Sequence, residues 1–169
     1  MLFDLSEESI EALKGMLGKY VESIYCIHMD WSIRQNRVTV FEDLVWSFKD
    51  NYVHMKAQEI DDENDYYSFS IKEQEMPDPL PYEIHDELGQ LVFNSISSIR
   101  IWSKIEQISF HSLGDLKPED PPYMAILFRL ENDQAIGVTP NFPWGFNLYF
   151  DSAAWKLVEG SLALDLVRG

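Results

Sequence analysis

The segment Tyr67-Ser68-Phe69-Ser70-Ile71-Lys72 alternates apolar and polar side chains with a period of two. A β-strand sends successive side chains to opposite faces, so this segment belongs to a sheet with one face on a core and one in water. The same chemistry runs through much of the chain. Val21–Trp31, Arg37–Phe48 and Asn51–Ile60 are rich in β-branched and aromatic residues, and Lys49-Asp50-Asn51 has the composition of a hairpin turn. Further strands are expected at 99–110, 122–131, 134–139 and 146–151, with Asn132-Asp133 turning between the second and third. Leu162, Leu164 and Leu166 alternate like a last strand.

Helical spacing is confined to three places. Ser6 is placed as an N-cap, Glu7 and Glu8 suit the positive end of a helix dipole, and Ile10, Leu13 and Leu17 follow at helical intervals up to Gly18. A second helix is expected near 86–96, where Leu88, Leu91, Val92, Ile96 and Ile99 share a face behind Asp86, with Gly89 counting against it. Asp151–Gly160 reads as a short capped helix. The fold class implied is α+β, antiparallel sheet with an N-terminal helix and the helix near 86–96.

The Pro-rich run Met76-Pro77-Asp78-Pro79-Leu80-Pro81-Tyr82 cannot form a regular ladder and is the natural linker. Leu13, Leu17, Val21, Ser23 and Ile24 recur at a constant offset in Leu88, Val92, Ile96, Ser98 and Ile99. Chance matches of this kind are common in an apolar-rich chain, but the later elements also follow in the same order. One domain over 1–169 is expected, with duplication into 6–75 and 84–169 around a linker at 76–83 as its internal plan.

The charge excludes some functions. At a formal −16 the chain lacks the cations that a phosphate backbone or an anionic lipid surface requires, so neither nucleic acid nor membrane is expected as a partner. Most of the imbalance is local: Glu59–Glu87 holds eleven acidic residues and one basic residue, Lys72. With 46% hydrophobic residues the chain is still no disordered acidic tail. The single cysteine, Cys26, excludes an intrachain disulfide. Together with the lack of a positive leader or a long apolar run, it suggests a cytoplasmic protein.

Two loops are candidate contact surfaces. Asp61, Asp62, Glu63 and Asp65 form an anionic loop, and Phe142 and Trp144 sit in the aromatic loop that takes its place in the second half. Alternate carboxylates at 61, 63 and 65 suit a hard cation, but Tyr66 and Lys72 stand where a calcium loop needs Gly and Glu. Clustered carboxylates also suit a basic protein, and a solvated loop is the plain alternative. Trp31, Trp46, Trp102 and Trp155 lie in apolar segments and are expected in the core or half-buried.

Chemistry is less legible. Cys26 and His28 share a strand face, with His54 across a neighbouring strand, yet no CxxC, HxxxH or HExxH spacing accompanies them. Glu42-Asp43 would do acid–base work only in a cleft, and His85 and His111 read as surface residues. No phosphate loop or nucleophile elbow occurs. No catalytic residue, metal ligand or cofactor is therefore assigned. The leading expectation is an acidic protein-binding domain, of the composition of inhibitors and immunity proteins that neutralise a basic partner. The alternative is a small-molecule or metal-binding domain, an enzyme included, with a pocket between the two halves; a homodimer through an edge strand is a third.

Overall fold

The computed structural model describes residues 5–61, 63, 66–85, 87–113, 123–141 and 145–166. The chain begins with α1 (Glu7–Met16), followed by β1 (Tyr20–Cys26), β2 (His28–Ser32), β3 (Arg37–Phe41), β4 (Leu44–Ser47), β5 (Tyr52–Asp61) and β6 (Tyr66–Gln74). Next come β7 (Tyr82–His85), β8 (Gln90–Phe93), β9 (Ser97–Leu113), β10 (Tyr123–Leu130), a 3-10 turn at Glu131–Asp133, β11 (Ala135–Pro140) and β12 (Phe146–Phe150). The chain then forms α2 (Ser152–Val158) and β13 (Leu162–Asp165). The α+β expectation holds, and so does the N-terminal helix.

Ten strands follow the order β2-β3-β12-β11-β10-β9-β1-β4-β5-β6, β13 joins them on β9, and all neighbours are antiparallel. The sheet is doubled over on itself. Seven strand steps separate β12 from β6, about 34 Å in a flat sheet. Yet the Phe146 and Phe69 rings stack with centroids 5.7 Å apart. Trp46 on β4 likewise meets Phe128 on β10 at 4.5 Å. These four rings lie in one core with Leu13, Ile24, Met55, Phe110 and Leu148, all fully buried.

The two helices have different tasks. Ser6 caps α1, accepting from the Ser9 backbone N–H at 3.1 Å, and Ala12, Leu13 and Met16 enter the core. The helix also covers β6, the end of the strand order, where the Ile71 N–H donates to Ser9 Oγ at 3.0 Å. An otherwise open sheet edge is thus closed by a helix, a known defence against edge pairing. On the outside of the other wing, Ala154 and Val158 of α2 pack on Ala125, Leu127 and Ala135 in a second, small core. Gly137 permits that contact, since a Cβ there would lie 3.1 Å from Leu157 Cδ2.

Two expectations are corrected. The segment 86–96 is not a helix: Gln90–Phe93 pairs with Tyr82–His85 in a separate two-stranded sheet. Gly89, at φ +60, closes the turn, with its N–H donating to the His85 carbonyl at 2.7 Å. The prolines before Tyr82 hold the chain extended, and a left-handed glycine then makes hairpin pairing cheaper than a helix that would contain it. The proposed repeat therefore sets α1 against a hairpin. Of the four tryptophans expected in the core or half-buried, Trp46 is buried against Phe128 between the wings, whereas Trp31, Trp102 and Trp155 are exposed.

Replacing Ser9 with Ala leaves the Ile71 N–H without its acceptor. We expect a loss of about 1–3 kcal/mol in denaturant unfolding. An unchanged midpoint would show that the cap over β6 carries no stability.

Candidate functional site

The acidic loop lies at the tip of the long β5–β6 hairpin. Asp61 ends β5 opposite Tyr66, and Glu63 is exposed in the turn, while Asp62 and Asp65 lie outside the described residues. Phe142 and Trp144 also lie outside them, in the connection from β11 to β12, which is held at its ends by the Asn141 N–H donating to the Gly145 carbonyl at 3.0 Å. Glu59, Glu73, Glu75, Asp78, Glu83 and Glu87 are all exposed.

The β7–β8 hairpin carries further acidic residues and follows β6 at Gln74, the end of the β5–β6 hairpin opposite its tip. Antiparallel pairing puts Tyr82, Ile84, Leu91 and Phe93 on one face and Glu83, His85, Gln90 and Val92 on the other. Phe93 anchors the first face against Tyr25, ring centroids 4.6 Å apart. Towards the tip the anchoring stops: Leu88 is 77% exposed and Ile84 53%. Carboxylates and unburied aliphatic side chains thus share one projecting ribbon.

A second arrangement lies on the outer side of β4 and β5. The ladder aligns Tyr25, Val45 and His54 in one row, so the His54 ring is on the face opposite the core residues Val53 and Met55. Its Nε2 lies 2.6 Å from Asp43 Oδ1, and both side chains are about one-fifth exposed. Asp43 is delivered by the turn after β3, where Glu42 takes φ +64. Gly145, at φ +105, closes against that turn, and a Cβ on it would fall 2.0 Å from the Val40 carbonyl oxygen. A groove of about 370 Å³ follows, lined by Glu42, Asp43, Lys56, Ala57 and Gly145. Asp43 itself lines this groove and is held by the His54 imidazole, a pair able to share a proton, so Asp43 does stand where acid–base work is feasible. The Glu42-Asp43 pair lies on a turn, the simpler of the placements its sequence allows, rather than along a strand.

The Cys26, His28 and His54 grouping does not form. Cys26 is fully buried, and burial pushes its thiol up to about 12. His28 is exposed beside Asp30 at 3.4 Å, and His54 is two strands away on the other face. Among the described residues no group of three His, Cys, Asp or Glu side chains could hold a metal ion.

His111 is not a surface residue but is buried, at 6% exposure. Its Nε2 lies 2.8 Å from Ser109 Oγ and its Nδ1 2.8 Å from Ser161 Oγ, while the Ser161 hydroxyl donates to the Val158 carbonyl at 2.6 Å. Since Ser161 has one proton and gives it to Val158, it accepts from Nδ1–H, and Nε2 then accepts from Ser109. The chain of bonds ties β9 to the end of α2. Alternation of Ser109 and His111 hints at a shared face, but Ser161 is 50 residues distant and no local signal points to it. Compared with protein families, curated proteins and solved structures, the chain matches none.

Two outcomes follow from these placements. Gly145→Ala must move the Val40 carbonyl or abandon the left-handed φ, and should cost at least about 2 kcal/mol in thermal or denaturant unfolding. Near-wild-type stability would show that the turn yields. For Cys26, the unfolded thiol ionises near 9.0 and the folded one only near 12, so stability falls as pH rises through that window. The fall should be shallower in Cys26→Ala, and identical pH slopes in the two proteins would refute the assignment.

Proposed function

We propose that this chain binds a basic protein through the carboxylates of the β7–β8 hairpin and those of the β5–β6 tip, in the manner of an inhibitor or immunity protein. One observation carries the reading. From Glu73 to Ile99 the chain has six carboxylates and no Lys or Arg, and this stretch contains the hairpin on which Ile84, Leu88 and Val92 are exposed. Among the described residues Glu59, Glu75, Glu83 and Glu87 form no ion pair, so their field is not cancelled locally. Carboxylates accelerate encounter with a cationic partner, and apolar side chains at the centre of such a patch supply the short-range contact. Asp61, Asp62, Glu63 and Asp65 add four further carboxylates to the chain's acidic segment and are proposed to contribute to the same partner's encounter.

The groove beside His54 and Asp43 favours a second reading, a small-molecule site with acid–base capacity. It differs from the first in being insensitive to the hairpin.

The test uses two variants, Glu83→Gln with Glu87→Gln and Leu88→Ser, and Asp61→Asn with Asp62→Asn, Glu63→Gln and Asp65→Asn. Proteins retained by the wild type from a cell extract at about 0.05 M salt should be lost on both variants and on the wild type at about 0.5 M, where screening reaches a few ångströms. Retention that ignores both the substitutions and the salt would sink the proposal.

A further inference from the structure

Trp102 sits in a backbone conformation that bulky residues avoid. In the β1–β9 ladder Val21 faces Ser103 and Ser23 faces Arg100, so Ile101 and Trp102 together face Glu22. Trp102 carries this bulge at φ +48, in the left-handed region. A side chain with a Cβ crowds the backbone there, and glycine is the usual occupant. Core packing does not explain the choice, since Trp102 is 57% exposed and outside both buried clusters. Bulges that re-aim a side chain are concentrated near functional sites, and observed strain of this kind is a pointer to one.

A groove of about 380 Å³ opens beside the indole, within the size range of small-ligand sites. It is walled by the start of β1, the β9 bulge and the turn from β4 to β5. Tyr20, 54% exposed, adds a second aromatic surface. Lys19 is steadied by the Phe48 ring, its Nζ 5.8 Å from the centroid, and Asn51 by a 2.7 Å bond to Glu73. Lys49, Asp50 and Glu22 complete the polar rim.

The geometry points to a binding groove for a neutral saccharide. A pyranose ring has a flat C–H face that packs on the electron-rich face of an indole, and its hydroxyls both donate and accept. Two ammonium groups supply donors and two carboxylates supply acceptors. The two cations and two anions of the rim cancel, so the groove has no net attraction for a phosphate or other anion. The chain's overall −16 further disfavours such a ligand. The groove shares no residue with the acidic hairpin, so this inference stands or falls independently of the protein-binding proposal.

The experiment compares wild type with Trp102→Gly on a printed array of neutral glycans. NMR titration with the best array ligand follows, with AMP as the anionic aromatic control. Wild type should bind a saccharide and shift the indole N–H resonance that is missing in Trp102→Gly. The variant should bind at least about tenfold more weakly. Because glycine accepts φ +48, the variant should melt no lower than wild type. The inference is overturned if no glycan on the array binds, if the variant binds as well as wild type, if AMP binds in preference, or if the variant melts lower, which would make the indole a packing residue.

Discussion

Ile105 is the point at which the sheet changes partners. On one edge its N–H donates to the Lys19 carbonyl at 3.0 Å and its carbonyl accepts from the Gly18 N–H at 2.8 Å; on the other edge it faces Leu130 of β10. N-terminal to it β9 runs with β1, and C-terminal to it with β10 and β13. Bulges bracket this position, at Ile101-Trp102 on one ladder and at Glu106 on the other. A bulge bends and twists its strand, and two of them within six residues let one continuous 17-residue strand serve both wings of a folded sheet. The core depends on this bend, because without it Trp46 could not meet Phe128, nor Phe69 meet Phe146. The bend requires a left-handed residue near 102, but it does not require a tryptophan.

Where the wings close, the charge has been kept out. The buried cluster contains no carboxylate and no Lys or Arg, and Glu59, Glu63, Glu73, Glu75, Asp78, Glu83 and Glu87 lie on hairpins or turns with their side chains in water. Like charges there repel, but across a wet hairpin at physiological salt each pair costs a fraction of a kcal/mol. Burying even one unpaired carboxylate would cost several. A strongly acidic chain can therefore keep an ordinary apolar interior, provided that acids are confined to ribbons that the core does not need.

Local chemistry made much of this fold legible. Ser6, Glu7 and Gly18 bound α1, the Lys49–Asn51 turn closes on the Phe48 N–H to Asn51 carbonyl bond, and Asn132 and Asp133 adopt the positive φ that turn residues tolerate. Each depends on side chains within a few positions of one another. The segment 86–96 shows how a helical face of apolar residues is equally compatible with a hairpin once Gly89 can turn. Pairings beyond the neighbouring element carry no local mark. The acidic tip could be named from composition, whereas the His54–Asp43 pair needed the β4–β5 register and the Glu42 turn, and Ser161 reaches His111 only through the return of the chain after α2. Trp102 lies in an apolar segment that suits the core or a half-buried face, and a single extra residue in the ladder is enough to turn it outwards.

The two ends of the strand order are protected by different means. At β6 the protection is steric, with α1 laid over the edge. At β2, among the described residues, no strand lies on the far side, and the strand is short, five residues centred on Asp30. A second copy pairing antiparallel about that centre would set Asp30 against Asp30 and Trp31 against Met29. The first contact is repulsive where cross-strand neighbours are closest. Trp31 is also turned onto Phe150, ring centroids 5.8 Å apart, rather than outwards along the edge. With −16 on each copy, long-range repulsion opposes the approach before any ladder can form. The charge acts at long range and the Asp30 contact at short range, so both oppose the pairing of two copies along β2.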